Sequence, residues 1–423
     1  MPVATTDKYL TVFDIKSIGA RGDGIADYCD GVVYIPHTVT GDRVEATIVT
    51  RRNDALIAHL DRVLNPGTDR VKAPCSHFGF CGGCALQHVR DDAYRDWKVN
   101  LLRQTMSRRD LDVTKIRDLV VVPTASRRRA RFTARRTQRG VQLGFNAAAS
   151  HNIINIEQCH LLVPAITAVL DDLRVLLEVL LPASGKANVH ITETATGLDV
   201  WLAANIRHSV ETDMCLAEFA ESTDLARLSV GNQPNAVLVR RTPRVNIQGV
   251  AITPPPGGFL QASLMGEQSL AAIVRQGVGE ATKIVDLFAG IGTFSFAMGR
   301  DVEVVAVEGD RDQVQAMIQG RNAARLTRVE VKMRDLVRRP LSVEELNGFE
   351  AVVFDPPRAG ARSQSRIIAA SMVPRIVGIS CNLSTFVRDV RTLVDGGYRL
   401  LSVTPVDQFP WSRHLELVAC LQR

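Results

Sequence analysis

Two side chains near the end of this 423-residue chain are of the types and in the contexts that covalent catalysis requires. Cys381 follows a strand-like run, Ile376–Ser380, and precedes a stretch predicted to be helical from Thr385 to Val394. A helix N-terminus lowers a thiol pKa and favours the thiolate, the nucleophilic form. A lone cysteine after a strand is more often a buried, inert one. The turn Asp355-Pro356-Pro357-Arg358 changes that weighting, because it also ends a strand and so falls at the same carboxyl edge of a sheet, where ligands bind. Glu416, in His414-Leu415-Glu416 before a last strand, supplies an acid. Beside a thiolate and an apolar base pocket it can serve as a general base.

The cofactor is read from a glycine turn. Strand Lys283–Leu287 runs into Phe288-Ala-Gly290-Ile-Gly292-Thr293 and then a helix, so backbone N–H groups can approach a ligand closely. A second strand ends at Glu308, 22 residues beyond Asp286, where a carboxylate can accept from both ribose hydroxyls. Dinucleotide binding would want a third glycine where the chain has Ser295, and Asp286 would repel a pyrophosphate. A cofactor with a cationic amino group and no phosphate suits the turn better, and S-adenosylmethionine is that cofactor. Amino-group methyltransferases close their acidic proline turn with an aromatic residue. Arg358 occupies that position here and argues against that class.

A thiolate, a base and a methyl donor fit one reaction. Carbon 5 of uracil is too weak a nucleophile to take a methyl group unaided. Thiolate addition at carbon 6 makes the ring an enolate whose carbon 5 can attack, and a base then removes the carbon-5 proton so that the thiolate can leave.

Charge agrees with a polyanionic partner. The chain carries a net charge of +6, yet residues 71–160 alone hold 16 Lys/Arg against 7 Asp/Glu. Within them, Arg127–Arg139 holds seven arginines in thirteen residues, which, given a nucleic-acid substrate, are predicted to contact its phosphates with Phe132 on a buried face. Three of the eight cysteines cluster at Cys75, Cys81 and Cys84, so a metal site is preferred to a disulfide framework. Zinc and an iron–sulfur cluster both suit thiolates. No run of about 18 uncharged apolar residues suggests a membrane span, and the N-terminus has no signal pattern, so a cytoplasmic protein is expected.

These pieces need a multidomain scaffold. Short β-branched runs such as Gly31–Ile35 and Arg43–Thr50, split by Pro36 and Thr40-Gly41-Asp42, predict a small five-stranded OB-like β-barrel over residues 1–62. Residues 63–250 read as a central α+β domain with the cysteine cluster, a helix from Asp91 to Asp110 and the arginine segment. Residues 251–423 alternate strands (Lys283–Leu287, Glu303–Val307, Ala351–Phe354, Ile376–Ser380) with helices, the pattern of a parallel, Rossmann-like α/β sheet.

Taken together, the motifs resemble those of the RNA (uracil-5-)methyltransferases, over nearly the whole chain. The resemblance implies a TRAM barrel first and a class I S-adenosylmethionine-dependent methyltransferase domain last. It implies a [4Fe–4S] cluster on Cys75, Cys81 and Cys84 of Cys75-Ser-His-Phe-Gly-Phe-Cys81-Gly-Gly-Cys84, with Cys159 as a distant fourth ligand. Phe259-Leu260-Gln261 resembles the Phe-x-Gln element, with Gln261 on the cofactor and Phe259 near the target base. By the same matching Phe288, Thr293, Glu308, Asp335 and Asp355 are cofactor contacts, Cys381 the nucleophile and Glu416 the base. Ser263 replaces a usual Asn, and Trp411-Ser412 a common His-Thr, which puts the pocket wall in question. The helix from Asp91 is implied to pack on the catalytic domain. The expected product is 5-methyluridine in 23S rRNA, made by a monomer on a flipped base. A transfer-RNA enzyme is the alternative, and a catalytically silent RNA-binding protein on the same scaffold is the second.

Overall fold

The computed structural model describes residues 10–423 except Asp30, Asn53, Asp54, His208 and Pro234. The stretch that reads as leaderless lies largely in residues 1–9, outside the described residues. Two compact units emerge. One comprises residues up to 101 with 146–154 and 409–413; the other comprises 102–145, 155–408 and 414–423.

In the first unit, six strands form one sheet: β1 (Leu10–Asp14), β2 (Ser17–Ile18), β3 (Gly24–Tyr28), β4 (Gly31–Ile35), β5 (Arg43–Arg52) and β6 (Ala55–Asn65). Their order is β1-β5-β6-β4-β3-β2, with only β4 and β6 parallel. Alternate residues Phe13, Val33, Ile35, Val44 and Ala46 point into one core. Six strands replace the expected five, because the Gly19–Asp23 turn folds Ser17–Ile18 back on β3 as a separate short strand. Three register shifts between β5 and β6 let these long strands bend. Asp42 knots the unit: its carboxylate accepts from Val39 N–H (2.7 Å) and Gly67 N–H (2.8 Å) and pairs with Arg70. Those bonds hold its carboxyl below the usual range despite burial.

The cysteine segment that follows is built of turns up to α1 (Asp91–Ser107), which starts in this unit and ends in the other. That helix stops three residues short of expectation. Asp110 takes a left-handed backbone (φ 51°) while Leu111 N–H bonds Met106 O.

In the second unit, β7 (Val120–Val121) is followed by β8 (Arg129–Thr137) and β9 (Gly140–Asn146), and the short β10 (Ile153–Asn155) begins in the 146–154 segment of the first unit. Then come α2 (Pro164–Ala168), α3 (Leu170–Leu180), β11 (Lys186–Thr194), β12 (Gly197–Ala203), α4 (Val210–Ser222), β13 (Arg227–Val230) and β14 (Asn235–Val239). A mixed sheet runs β9-β8-β11-β12-β13-β14. The alternation along β8 buries Ala130, Phe132 and Ala134 and turns Arg131 and Arg135 outward.

A hairpin, β15 (Val245–Ile247) and β16 (Val250–Ile252), straddles the boundary expected at residue 250. Val245, Ile247, Val250 and Ile252 are buried in one core with Ile284 and Val304, so the hairpin belongs with the catalytic sheet. That sheet's elements are α5 (Leu264–Val278), β17 (Lys283–Leu287), α6 (Thr293–Met298), β18 (Glu303–Glu308), α7 (Arg311–Ala323), β19 (Val329–Met333), α8 (Val343–Leu346), β20 (Ala351–Phe354), α9 (Arg362–Ala370), β21 (Arg375–Ser380), α10 (Leu383–Asp395), β22 (Arg399–Asp407) and β23 (Glu416–Gln422). Strand order is β19-β18-β17-β20-β21-β23-β22-β7, parallel from β19 to β21, with β23 antiparallel to both neighbours and β7 parallel to β22. Ala351 and Val353 point to one core and Val352 and Phe354 to the other, as a sheet covered on both faces requires. Leu102 and Met106, from the last turns of α1, are buried in the second of these cores.

Candidate active site

The order of the parallel strands reverses between β17 and β20, and the crevice beyond their carboxyl ends is where a doubly wound sheet binds ligands. The glycine turn leaves β17 there. Phe288, Gly290 and Gly292 all take positive φ (60°, 59° and 95°), and a Cβ on Gly292 would come within 2.6 Å of Phe296. Glu308, ending β18, accepts Gly290 N–H (2.9 Å), Gly309 N–H (2.7 Å) and Asp310 N–H (2.8 Å), which fixes its carboxylate at the crevice rim. Asp335 accepts Val337 N–H (3.0 Å) and Arg338 N–H (3.2 Å) in the turn after β19. Thr293 is buried at the head of α6. Asp286 is buried with one oxygen on Ser295 Oγ (2.6 Å) and the other unpartnered, and burial pushes its carboxyl up to about 7. Gln313 Oε1, close to where a Gly290 Cβ would stand, likewise has no donor. Anchored carboxylates, two unfilled buried acceptors and a turn whose glycines carry no Cβ fit a ligand with an amino group and ribose hydroxyls.

The side chains expected to react lie where β20 and β21 end and β23 begins. Ser380 pairs with Leu417 across the antiparallel β21–β23 ladder, so the next step of that register sets Cys381 opposite Glu416. Asn382 fixes the thiol's position: its Oδ1 accepts Ser384 N–H (3.1 Å) at the start of α10, and its Nδ2 donates to Arg358 O (2.9 Å). Asp389 of α10 accepts Ala361 N–H (2.8 Å), tying the same helix to the turn after Pro357.

One expectation is corrected here. Burial, reinforced by Glu416 and Asp355, pushes the Cys381 thiol up rather than down, with Arg358 alone opposing as charge and hydrogen-bond donor. Burial first, and two carboxyls after it, act against the thiolate here.

Glu416 is 4% exposed, and burial followed by Asp355 pushes it up to about 8; a Gln408 hydrogen bond, Arg129 and Arg358 pull the other way. Burial likewise pushes Asp355 up to about 7, against a bond from Gln261 Nε2 (3.3 Å). Gln261 Oε1 accepts from Gln408 Nε2 (2.8 Å). Phe259 is 51% exposed, with the Arg129 guanidinium 4.7 Å from its ring centre.

Two residues here escape a reading by motif, Arg129 and Gln408, and Arg358, legible as the end of the proline turn, gains a contact with the Cys381 thiol that the motif does not show. Arg129 hides in an arginine run whose members have separate tasks. Arg128 pairs in the interior with Glu267, Arg136 donates to Leu181 O beyond α3, and only Arg131, Arg135 and Arg139 stay exposed. Arg129 is buried enough that desolvation lowers its pKa to about 10, and its Nε has no partner.

Cys75, Cys81, Cys84 and Cys159 are each partly buried, and thiolate donors suit iron–sulfur or zinc chemistry. Among the described residues no three His, Cys, Asp or Glu side chains converge at ion-binding spacing. Trp411, with φ 56°, offers its carbonyl to Ala85 N–H (2.8 Å) and Leu86 N–H (3.0 Å), securing the end of the cysteine turns.

Numbered from β17, the sheet order is 3-2-1-4-5-7-6 with the seventh strand reversed, and its acidic crevice lies at the switch point. That defines a class I S-adenosylmethionine-dependent methyltransferase. Residues 257–423 match the tRNA (uracil-5-)-methyltransferase family. An uncharacterized RNA methyltransferase of Mesorhizobium japonicum is 41% identical over 97% of this chain and 98% of its own length, and one of Brucella suis 42% over 97% of each. The 23S rRNA (uracil(1939)-C(5))-methyltransferase RlmD of Halomonas elongata is 30% identical over 96% of this chain and 88% of its own. The crystal structure of Pyrococcus abyssi tRNA (uracil-54, C5)-methyltransferase with S-adenosyl-L-homocysteine superposes with a TM-score of 0.76 at 21% identity, covering 97% of this chain and 99% of that one. The chain belongs to the RNA (uracil-5-)methyltransferase family and is an S-adenosylmethionine-dependent enzyme acting on RNA. The silent-scaffold alternative falls with that. Among the described residues no helix is long and apolar enough to cross a membrane.

Proposed function

We propose that this enzyme makes 5-methyluridine in 23S rRNA, with Cys381 as nucleophile and Glu416 as base. The observation that carries the chemistry is their placement on neighbouring antiparallel strands, one register step beyond the Ser380–Leu417 pair. The rRNA target is supported by RlmD, whose name carries that substrate and whose length the match nearly spans. Bound S-adenosylmethionine supplies an electrophilic methyl group on a sulfonium. Gln261, Phe288, Thr293, Glu308, Asp335 and Asp355 would hold it.

Cys381 reacts as the thiolate, its proton released to solvent; its sulfur bonds carbon 6, and the 5,6 electron pair of the ring shifts to make carbon 5 the nucleophile. After methylation Glu416 takes the carbon-5 proton. The released pair re-forms the 5,6 double bond as the carbon–sulfur bond breaks. Arg358, beside the sulfur, favours the thiolate at both ends of this cycle. Phe259 under the Arg129 guanidinium offers a half-open ring on which a flipped base can stack.

The exposed Arg131, Arg135 and Arg139 are assigned to phosphates, and the N-terminal sheet, as a TRAM barrel, to the surrounding RNA. Cys75, Cys81, Cys84 and Cys159 would hold a [4Fe–4S] cluster whose role is to brace the fold. The enzyme acts in the cytoplasm, as a monomer. Mapping 5-methyluridine in ribosomal and transfer RNA from cells with and without the gene tests the target. Loss of a 23S site supports it; loss confined to transfer RNA transfers the assignment there.

A further inference from the structure

Gln408, just past β22, is 3% exposed and touches both halves of the site. Its Nε2 donates to Gln261 Oε1 (2.8 Å), and its side chain hydrogen-bonds Glu416. Gln261 Nε2 in turn reaches Asp355 Oδ2 (3.3 Å). An unbroken line, Asp355–Gln261–Gln408–Glu416, therefore connects the acidic proline turn to the base. The neighbouring helix makes room for it: a Cβ on Gly266, in the first turn of α5, would stand 2.8 Å from Gln408 Oε1. That Oε1 is buried and has no donor. Buried amide oxygens are rarely left unfilled, so an orphan beside a group that must gain and lose a proton points to a use in one of its two states.

We infer that Gln408 is a positioning residue for proton removal. It aims the Glu416 carboxylate by donating from Nε2, and its free Oε1 accepts the O–H of Glu416 once the carbon-5 proton has arrived. The inference rests on the reading of Glu416 as the base. No new bond chemistry is added. The proton moves from carbon 5 to Glu416, and the electron pair it leaves expels the Cys381 sulfur as before.

The test uses Gln408→Met, which keeps length and burial while removing both amide groups, with Glu416→Gln as reference. Single-turnover reactions on RNA tritiated at uridine carbon 5 would follow tritium release and the denaturation-resistant protein–RNA adduct, from pH 6 to 9.5, with melting temperatures confirming folding. Gln408→Met should still form the adduct at the wild-type rate. It should release tritium about ten- to a hundredfold more slowly, a fraction of what general-base catalysis supplies, with the pH midpoint of release moved upward. Gln408→His, which keeps a donor, should restore part of the rate. Unchanged tritium release and midpoint in Gln408→Met would overturn the inference, as would an equal loss of adduct formation and release, the mark of simple misfolding. If Glu416→Gln forms no adduct and turns over normally, the reading of the base itself fails instead.

Discussion

Cys381 and Glu416 occupy facing positions at the ends of neighbouring strands, one at the mouth of β21 and the other at the first residue of β23. Burial, and after it the Glu416 carboxyl, pushes the thiol up, while burial and Asp355 hold Glu416 itself up to about 8. Such a pair is poorly charged at rest, so each member must lose its proton before it can act.

Removing either member should stop the cycle at a different point. Cys381→Ala should lose methyl transfer by about a thousandfold or more while still retaining RNA in a filter-binding assay. Glu416→Gln should complete methyl transfer and then stall, giving a shifted band that survives denaturing gel electrophoresis. Normal turnover by Cys381→Ala defeats the mechanism.

Proton linkage gives a second expectation. A base held near 8 must be ionised to act, so carbon-5 proton release should climb as pH rises toward 8. Stability should run the opposite way. A carboxyl raised on folding binds more protons in the native state, so its contribution is full below the unfolded value near 4 and fades as pH passes through about 8. Each kcal/mol removed lowers Tm by about 2–4 °C for a domain of 150–250 residues. Calorimetry between pH 5 and 8.5 should show a downward slope that flattens in Glu416→Gln. An identical slope in the two proteins would contradict the assignment.

Local signals made the catalytic half readable. Strands β17 and β20 match their expected limits because continuous apolar runs end in glycine or proline turns, and Cys381 and Glu416 sit in short segments with a chemical type of their own. The misses are tertiary. The β15–β16 hairpin is short and joins a core made elsewhere, so no local cue ties it to the catalytic sheet. Gln408 and Arg129 act through partners more than a hundred residues away, Gln261 for the first and Phe259 for the second, which spacing cannot reveal. The thiol's raised pKa comes first from its burial and then from two carboxyls brought in by other strands.

Iron content tests the cysteines independently of catalysis. Protein purified without oxygen should be brown, with about four irons per chain if the cluster is of the [4Fe–4S] type. Cys81→Ser and Cys84→Ser should each lose most of the iron and the visible absorbance. Colourless protein carrying zinc would replace the cluster with a zinc site, and metal-free protein that still folds and methylates would remove the metal altogether.

The arginine segment is expected to separate folding from RNA binding within thirteen residues. Arg128 faces Glu267 in the interior, where both side chains are at most 8% exposed. Arg128→Met strands that carboxyl in a site whose burial already raises its pKa, and breaking such a pair costs about 3–5 kcal/mol. Its RNA affinity, measured on the fraction that remains folded, should stay near wild type. Arg131, Arg135 and Arg139 are exposed and form no ion pair among the described residues. Replacing all three with Ala should leave Tm within about 2 °C, as surface substitutions away from special features usually do. RNA affinity should fall, and the slope of log K against log salt should drop by about 0.7–0.9 for each phosphate no longer neutralised. A triple variant that keeps the full salt slope would show that RNA follows another path across the protein.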